Sequence, residues 1–359
     1  MMDKTMRAII CKGPKQYSLE TIKIPAVGRG DLLIKIEGCG ICAGDAKAAT
    51  GAAMFWGDDT QPAWMTAPVI PGHEFVGKIV AIDSEAKAKR KLNEGDRIVV
   101  EQIVPCGECR FCKRGQYWMC QTGHDIFGFK AHLNGGMAEY MVVPEKALVY
   151  KFPDHLPVEA GVMVEPLACA AHAVERANIQ LGEVVVIAGL GALGLCMVQV
   201  ARLKNPGLLI GIDVDPYRLE LAQSLGADLV MNPTQKDVIT EVLNLTEGYG
   251  CDKYIEATGN PNGVIQGLKM IRKLGLMVEF SVFANPTAVD WSIIGDRKEL
   301  DIHGAHLSPY TFPLAIDYLT SGKVDISKIV THQLPFDKYE EGFDLVHHAK
   351  GSIKVMLVP

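Results

Sequence analysis

The sequence lacks the features that mark membrane, secreted and nucleic-acid-binding proteins. The 359 residues include 36 Lys and Arg and 42 Asp and Glu, which gives a formal net charge of −6. We expect neither a nucleic-acid nor a membrane partner, because both select basic surfaces. No secretory hydrophobic core follows the N-terminus, so we expect a cytoplasmic protein. Residues 184–198 carry no polar side chain, but they are shorter than the roughly 18 residues of a membrane span.

Disulfides are not expected, although ten cysteines are present. In a chain without a secretory signal, clustered cysteines indicate metal binding. Four of them follow the pattern C-x2-C-x2-C-x7-C and are predicted to bind a structural zinc: Cys106, Cys109, Cys112 and Cys120. A closed sulfur site holds a loop rigid and leaves no position for chemistry. An iron–sulfur cluster is the alternative, although ferredoxin-type spacings do not match.

The pattern of strands and helices divides the chain into α/β-class domains. Residues 1–156 consist of short predicted strands separated by Gly, Pro and Asp turns. Residues 157–299 alternate buried strands with helices, which is typical of a doubly wound parallel sheet. Residues 300–359 return to strand-like patterns. A β-rich domain interrupted by a nucleotide-binding domain is therefore predicted.

A dinucleotide site is predicted where residues 189–194 spell G-x-G-x-x-G. The motif follows a buried strand and opens an apolar helix, which is the context that it requires. Asp213 lies 19 residues after Gly194. Its carboxylate can accept hydrogen bonds from the adenosine ribose and repels a 2′-phosphate, which favours NAD over NADP, although the nearby Arg218 leaves NADP open. The candidate cofactor-binding residues are Gly189, Leu190, Gly191, Ala192, Leu193, Gly194, Asp213 and Arg218. A glycine-rich turn in a nucleotide-free domain is the alternative.

A second group of residues is predicted to bind a catalytic metal. Cys42 lies in a glycine-rich segment, His73 and Glu74 follow Pro71-Gly72, and Glu165 precedes a proline. A cysteine, a histidine and a carboxylate with one open position form the ligand set of catalytic zinc. Each fragment alone is weak evidence for a metal ligand, because a His-Glu pair after Pro-Gly is more often part of a surface turn than a ligand.

These motifs resemble, in their order along the chain, the zinc-dependent medium-chain alcohol and polyol dehydrogenases. The resemblance covers essentially the whole sequence. The segment 165–167, Glu-Pro-Leu, is similar to the sorbitol and threonine dehydrogenase branch. Within that branch the chain looks most like the erythritol/L-threitol dehydrogenases, in segments 55–58, 62–64, 101–120, 289–294 and 304–307.

The resemblance implies a GroES-like catalytic domain and a Rossmann domain that binds NAD. It implies a catalytic zinc on Cys42 and His73, completed by Glu74 or Glu165 directly or through water. The implied reaction oxidises a secondary hydroxyl of a small polyol, a tetritol, to a ketose with hydride transfer to NAD. It also implies a homodimer or homotetramer paired through sheet edges, with residues 278–282 and 301–306 as candidates.

The sequence departs from this family at the proton relay. Relatives place Ser or Thr two residues after the zinc cysteine, where this chain has Gly44, and Lys47 stands where many have His. We expect a water beside Gly44, with Lys47 or a cofactor ribose hydroxyl completing the relay. The alternative is that Gly44 only marks a tight turn and Lys47 is a solvated surface charge.

Aromatic and acidic residues together suit a sugar alcohol, whose C–H faces stack on rings and whose hydroxyls donate hydrogen bonds. The candidates for the substrate pocket are Phe55, Trp56, Asp58, Asp59, Trp64, Tyr117, Trp118, Phe127 and His306. Three alternatives remain open: a threonine-type dehydrogenase, a hexitol-type dehydrogenase and a zinc- and NAD-binding protein without catalysis.

Overall fold

The computed structural model describes residues 5–121, 125–284, 286–349 and 351–359. The chain forms two compact units, and each of them is discontinuous in sequence. The first comprises Met1–Glu165, Ala315–Thr320 and Ile326–Pro359, and the second comprises Pro166–Leu314 and Ser321–Asp325. Within the described ranges, no helix combines the length and the apolar character needed to cross a bilayer.

The strands are, in chain order, β1 (Thr5–Gly13), β2 (Gln16–Lys23), β3 (Leu32–Gly40), β4 (Glu74–Ile82), β5 (Arg97–Val100), β6 (Ile103–Val104), β7 (Asp125–Ile126), β8 (Tyr140–Val143), β9 (Val149–Lys151), β10 (Val184–Ala188), β11 (Leu208–Ile212), β12 (Leu229–Met231), β13 (Cys251–Glu256), β14 (Ile271–Glu279), β15 (Asp301–Gly304), β16 (Val330–Pro335) and β17 (Lys354–Val358).

The helices are α1 (Ala43–Ala49), α2 (Ala53–Trp56), α3 (Ser84–Arg90), α4 (Arg110–Lys113), α5 (Val158–Val162), α6 (Val164–Ala177), α7 (Ala192–Arg202), α8 (Pro216–Ser224), α9 (Val238–Leu245), α10 (Pro261–Met270), α11 (Phe312–Thr320) and α12 (Tyr339–His348). Short 3₁₀ turns cover Tyr117–Met119 and Phe336–Lys338, and a π turn covers Ile293–Arg297.

The first unit is built on a mixed sheet whose strand order is β16-β17-β3-β4-β5-β9, with β8 also paired to β3. Strands β3 and β4 are antiparallel, and Gly40 at the end of β3 lies opposite Glu74 at the start of β4. Met356 of β17 also pairs with Gly40. This register brings three distant segments together at one end of the sheet, just past Gly40 and just before Glu74.

The second unit is built on a parallel sheet of order β12-β11-β10-β13-β14-β15. Numbered within the unit, the order is 3-2-1-4-5-6, which is the doubly wound arrangement of dinucleotide-binding domains. The apolar run of β10 is buried on both faces, as a central parallel strand requires. The predicted fold class is confirmed.

One predicted sheet edge is wrong. Residue Val278 lies in β14, which pairs with β13 on one side and with β15 on the other. The edge strands of the parallel sheet are β12 and β15, and β15 lies within the second predicted candidate, residues 301–306. Assembly as a dimer or tetramer remains a prediction.

Candidate active site

Cys42 is fixed by the start of a short helix. It is the N-cap of α1, and its sulfur accepts a hydrogen bond from the backbone N–H of Gly44 at 3.4 Å. Asp45 completes the capping box, since its Oδ2 accepts the backbone N–H of Cys42 at 2.9 Å. Asp45 is wholly buried, so the box both orients the thiol and places a carboxylate beneath it.

The buried carboxylate of Asp45 also faces His73. Its Oδ1 lies 3.7 Å from Nδ1 of the imidazole, and neither atom has a hydrogen-bond partner within the described part of the chain. Burial lowers the pKa of His73, but Asp45, Cys42 and Glu165 outweigh it and raise the pKa well above its usual value. The surroundings therefore favour a positive charge, and a carboxylate behind an imidazole is the arrangement that orients metal-ligating histidines.

The side chains of Cys42, His73 and Glu74 form a compact group of potential metal ligands. One ligand atom from each lies within 4.8 Å of the others, and the set of thiol, imidazole and carboxylate suits zinc. Two buried atoms without a hydrogen-bond partner in the described part of the chain, Oδ1 of Asp45 and Nδ1 of His73, support this fit. A cation bound by the imidazole would attract the carboxylate that faces it. The structure thus brings together three of the four predicted catalytic ligands.

Glu74 has a buried counter-ion that sequence reasoning missed. Lys354, at the start of β17, donates from Nζ to both carboxylate oxygens, at 2.7 and 2.6 Å. Burial lowers the pKa of Lys354, but Glu74, Cys42 and Glu165 outweigh it and raise the pKa above its usual value. The pair is 280 residues apart in sequence, and Lys354 lies in a strand where a lone lysine would be expected to face solvent.

Glu165 lies beside this group but outside it. It occupies the first turn of α6 and is 7% exposed. Its Oε1 accepts a hydrogen bond from Nε2 of Gln102 at 2.7 Å. Among the described residues, the compact ligand group contains Glu74 and not Glu165. Which carboxylate completes the metal sphere remains a prediction.

An aromatic wall, defined as Phe55, Trp64 and Phe129, borders His73. Phe129 stacks on Phe55 with ring centroids 5.4 Å apart, and its ring lies 5.2 Å from Trp64 and 5.4 Å from His73. Phe55 and Trp64 were predicted pocket residues. Phe129 was missed because a single aromatic residue in a turn gives no local signal of what it contacts.

Other predicted pocket residues have structural roles. Phe127 is wholly buried and packs edge-on against Phe75 in the core, so its predicted substrate contact is wrong. Trp56 donates to the backbone of Ala48 at 2.8 Å, and Asp58 accepts hydrogen bonds within its own loop.

The remaining pocket candidates lie elsewhere in the fold. Tyr117 donates its hydroxyl to Glu101, and Trp118 packs edge-on against Tyr117. Asp59 is exposed, and His306 belongs to the second unit. Lys47 is half-buried in α1, and its part in a proton relay remains a prediction.

The four-cysteine segment has the geometry of a closed metal site. One sulfur of each residue lies within 4.8 Å of the rest. The Cys106–Cys112 and Cys109–Cys120 sulfur pairs are 3.9 and 4.0 Å apart. Sulfur atoms bound tetrahedrally at about 2.3 Å from zinc lie about 3.8 Å apart, so the four positions fit the predicted structural zinc.

The glycine turn of the second unit has the backbone geometry that the motif predicts. Gly189 has φ +92°, and a Cβ there would meet the carbonyl of Ala257 at 2.5 Å. A Cβ on Gly194 would collide with the Gly189 carbonyl, whereas one on Gly191 would meet nothing within 4 Å. The turn and the close helix packing need the first and third glycines. Gly191, at the start of α7, leaves open space where the motif predicts that phosphates bind.

Two family models match the chain. The alcohol dehydrogenase GroES-like domain covers residues 28–154, and the zinc-binding dehydrogenase domain covers residues 192–321. The erythritol/L-threitol dehydrogenase of Mycolicibacterium smegmatis is 49% identical over 99% of this chain and 98% of its own. The chain belongs to the zinc-binding alcohol dehydrogenase family.

More distant members of the family also match over their full length. The L-threonine 3-dehydrogenase of Pyrococcus furiosus is 34% identical over 99% of this chain and 100% of its own. A zinc-binding dehydrogenase of Sinorhizobium meliloti, solved with NADP bound, superimposes with a TM-score of 0.88 at 29% identity, covering 99% of this chain and 100% of its own. The predicted family, the enzyme class and the zinc and nicotinamide cofactors are confirmed.

In this dehydrogenase, Asp213 is the residue predicted to select the cofactor. It is 9% exposed, and its oxygens accept the backbone N–H groups of Leu190 at 2.7 Å and Asp215 at 2.9 Å. Each carboxylate oxygen has two lone pairs, so both can still accept from ribose hydroxyls. Arg218 is half-buried in the first turns of α8, close in sequence to this carboxylate.

We expect Asp213→Ser to shift cofactor preference toward NADP. Loss of a charge-assisted hydrogen bond costs about 1.5–3 kcal/mol, so kcat/KM for NAD should fall roughly 10- to 100-fold. Use of NADP should rise, because the carboxylate no longer repels a 2′-phosphate. Initial rates with both cofactors measure this. Asp213→Asn, which keeps the shape and loses the charge, should shift the ratio in the same direction; an unchanged ratio in both variants would remove Asp213 from cofactor selection.

Proposed function

We propose that the enzyme oxidises a secondary hydroxyl of a tetritol, such as erythritol or threitol, to a ketose, with NAD as the hydride acceptor. The observation that carries the proposal is the compact Cys42, His73 and Glu74 group bordered by the aromatic wall. The full-length likeness to an erythritol/L-threitol dehydrogenase supports the choice of substrate.

The residues of the first unit would hold the metal and the alcohol. Cys42 and His73 would ligate zinc, with Glu74 or Glu165 as the carboxylate. When bound, zinc supplies Lewis-acid chemistry: it lowers the pKa of bound water to about 7, and the pKa of an alcohol should fall similarly. Asp45 keeps His73 oriented, and the aromatic wall packs against the C–H face of the substrate and excludes water.

The second unit would hold NAD through the glycine turn and Asp213. The turn offers backbone N–H groups at the start of α7 to the pyrophosphate, and Asp213 accepts from the adenosine ribose. Positioning the reacting carbon and the nicotinamide in a fixed geometry is the main contribution of the protein to hydride transfer.

The alcohol proton must leave without the usual hydroxyl group. A Cβ on Gly44 would lie 3.7 Å from the Cys42 sulfur, 3.7 Å from Phe55 and 3.9 Å from Phe129, which are ordinary contact distances. The space beside Gly44 can therefore hold a small group next to the metal ligands. We propose that a water there carries the proton toward Lys47 or a ribose hydroxyl of the cofactor.

We expect Gly44→Ser to raise kcat, on the order of several-fold to tenfold, because a fixed hydroxyl relays the proton better than a mobile water. The contact distances around Gly44 predict that the side chain is accommodated. Gly44→Ala fills the same space without a hydroxyl and should give no gain. Stopped-flow and steady-state NADH formation measure the effect. If Gly44→Ser is unchanged or slower, the water relay is wrong.

The substrate is tested by NADH formation at fixed enzyme and NAD with erythritol, D- and L-threitol, hexitols and L-threonine. We expect turnover confined to the tetritols. Turnover only with L-threonine or only with hexitols would leave the proposed metal and cofactor sites in place but contradict the tetritol assignment. Relatives that carry the names L-threonine 3-dehydrogenase and sorbitol dehydrogenase match this chain. No NADH formation with any of these substrates, from protein that holds two zinc ions per chain, would favour a substrate outside the panel or the non-catalytic alternative.

A further inference from the structure

Gln102 is a buried polar residue that neither zinc site nor cofactor site accounts for. It is 0% exposed and lies between β5 and β6. Its Nε2 donates to Oε1 of Glu165 at 2.7 Å. Because a carboxylate only accepts, the amide nitrogen and not the oxygen must face Glu165.

The backbone on either side of Gln102 is held firmly. The carbonyl of Gln102 accepts from Phe127 at 3.0 Å, and the N–H of Glu101 donates to Leu148 at 2.9 Å. The carboxylate of Glu101 is 1% exposed and accepts the hydroxyls of Tyr117 at 2.7 Å and Tyr150 at 2.6 Å. Burial raises the pKa of Glu101. A rigid anchor of this kind gives the Gln102 amide a fixed position from which to hold another side chain.

The two carboxylates near Cys42 and His73 are thus held in different ways. Glu74 is held by the ammonium group of Lys354, whereas Glu165 is held by a neutral amide. The Glu165 carboxylate is near enough to His73 to help raise the pKa of the imidazole, yet among the described residues it lies outside the ligand atoms that gather within 4.8 Å. The hydrogen bond from the Gln102 amide is therefore a contact that fixes where one oxygen of Glu165 lies.

We propose that Gln102 is a positioning residue that holds Glu165 back from the metal, so that one coordination position stays open for the substrate hydroxyl. The proposal rests on the metal centre proposed above. Its physical basis is that a catalytic zinc site needs an open position, and that outer residues which fix ligands are worth about 10- to 100-fold in metal affinity or activity.

The test compares Gln102→Leu with wild-type protein after replacement of zinc by Co²⁺, whose visible absorption reports the number and type of ligands. Removing the amide takes away the hydrogen bond to Oε1 that holds this carboxylate back from the metal. We expect weaker and shifted absorption bands and slower metal release, because Glu165 adds a ligand, and KM for the polyol raised roughly 10- to 100-fold with a smaller change in kcat. Gln102→Asn, which withdraws the amide by one methylene, should change the spectrum in the same direction and serves if the leucine variant does not fold.

Two comparisons separate positioning from a structural role. In a Glu165→Gln background, Gln102→Leu should leave the Co²⁺ spectrum unchanged, because the carboxylate through which it acts is gone. Gln199→Leu removes a matched buried amide in the second unit, bonded to Asp325 at 3.0 and 2.7 Å, and should lower stability without changing the spectrum.

An unchanged spectrum in Gln102→Leu, with a stability loss like that of Gln199→Leu, would overturn the positioning role. If wild-type protein shows no Co²⁺ signal that His73→Ala removes, the proposed metal centre itself fails and the positioning role fails with it.

Discussion

Replacement of His73 by alanine is expected to lower kcat/KM by about three orders of magnitude or more, since Lewis-acid stabilisation is worth several kcal/mol and each 1.36 kcal/mol is tenfold. The same variant should lose one of two zinc ions per chain and keep the other, because the four-cysteine site is separate. Metal analysis of the purified protein, together with NADH formation, measures both effects.

The structure offers a matched control for this substitution. His332 is half-buried on β16 of the same unit and contacts the hydroxyl of Thr331 at 2.9 Å, away from the ligand group. His332→Ala should keep both zinc ions and near wild-type turnover. Two zinc ions retained in His73→Ala would show that this imidazole is not a ligand.

Replacement of Lys354 by methionine is expected to destabilise the first unit by about 3–5 kcal/mol, because removing one partner leaves a buried charge uncompensated. Glu74 is 2% exposed and Lys354 5% exposed, so water cannot replace the lost ammonium group. Both hydrogen bonds to the carboxylate are lost together. Denaturant unfolding, followed by a probe in the first unit, measures the change.

Two further variants test whether the loss comes from the charge. Lys354→Arg keeps the cation and should lose much less stability than the methionine variant. Combining Lys354→Met with Glu74→Gln removes both charges and should recover part of the lost free energy. Unfolding of Lys354→Met within about 1 kcal/mol of wild type would show that Glu74 does not depend on Lys354 as its counter-ion.

Sequence alone predicted the features whose signal is local. The geometry of the glycine turn depends on the spacing of Gly189, Gly191 and Gly194 within one strand-turn-helix unit, so it can be predicted from the local sequence. The four cysteines likewise lie within one segment, 106–120. Cys42 and His73 were candidate ligands from their side-chain chemistry, and the family resemblance strengthened that prediction. Their proximity depends on the pairing of β3 with β4, which residue spacing does not reveal.

The residues that the sequence did not reveal act through distant contacts. Lys354 reaches Glu74 across 280 residues, and Gln102 reaches Glu165 across 63. Phe129 joins the aromatic wall from a turn, and Asp45 faces His73 only because a capping box turns it inward. None of these side chains has a motif of its own, since each is defined by what the fold places beside it.

The measurement that tests the account most directly is the rate of NADH formation from erythritol and threitol before and after removal of metal. Extraction with a chelator at controlled strength should abolish turnover as the first zinc leaves, and one equivalent of zinc per chain should restore it. Turnover that persists in protein shown to lack metal at Cys42 and His73 would contradict the account, whatever the substrate.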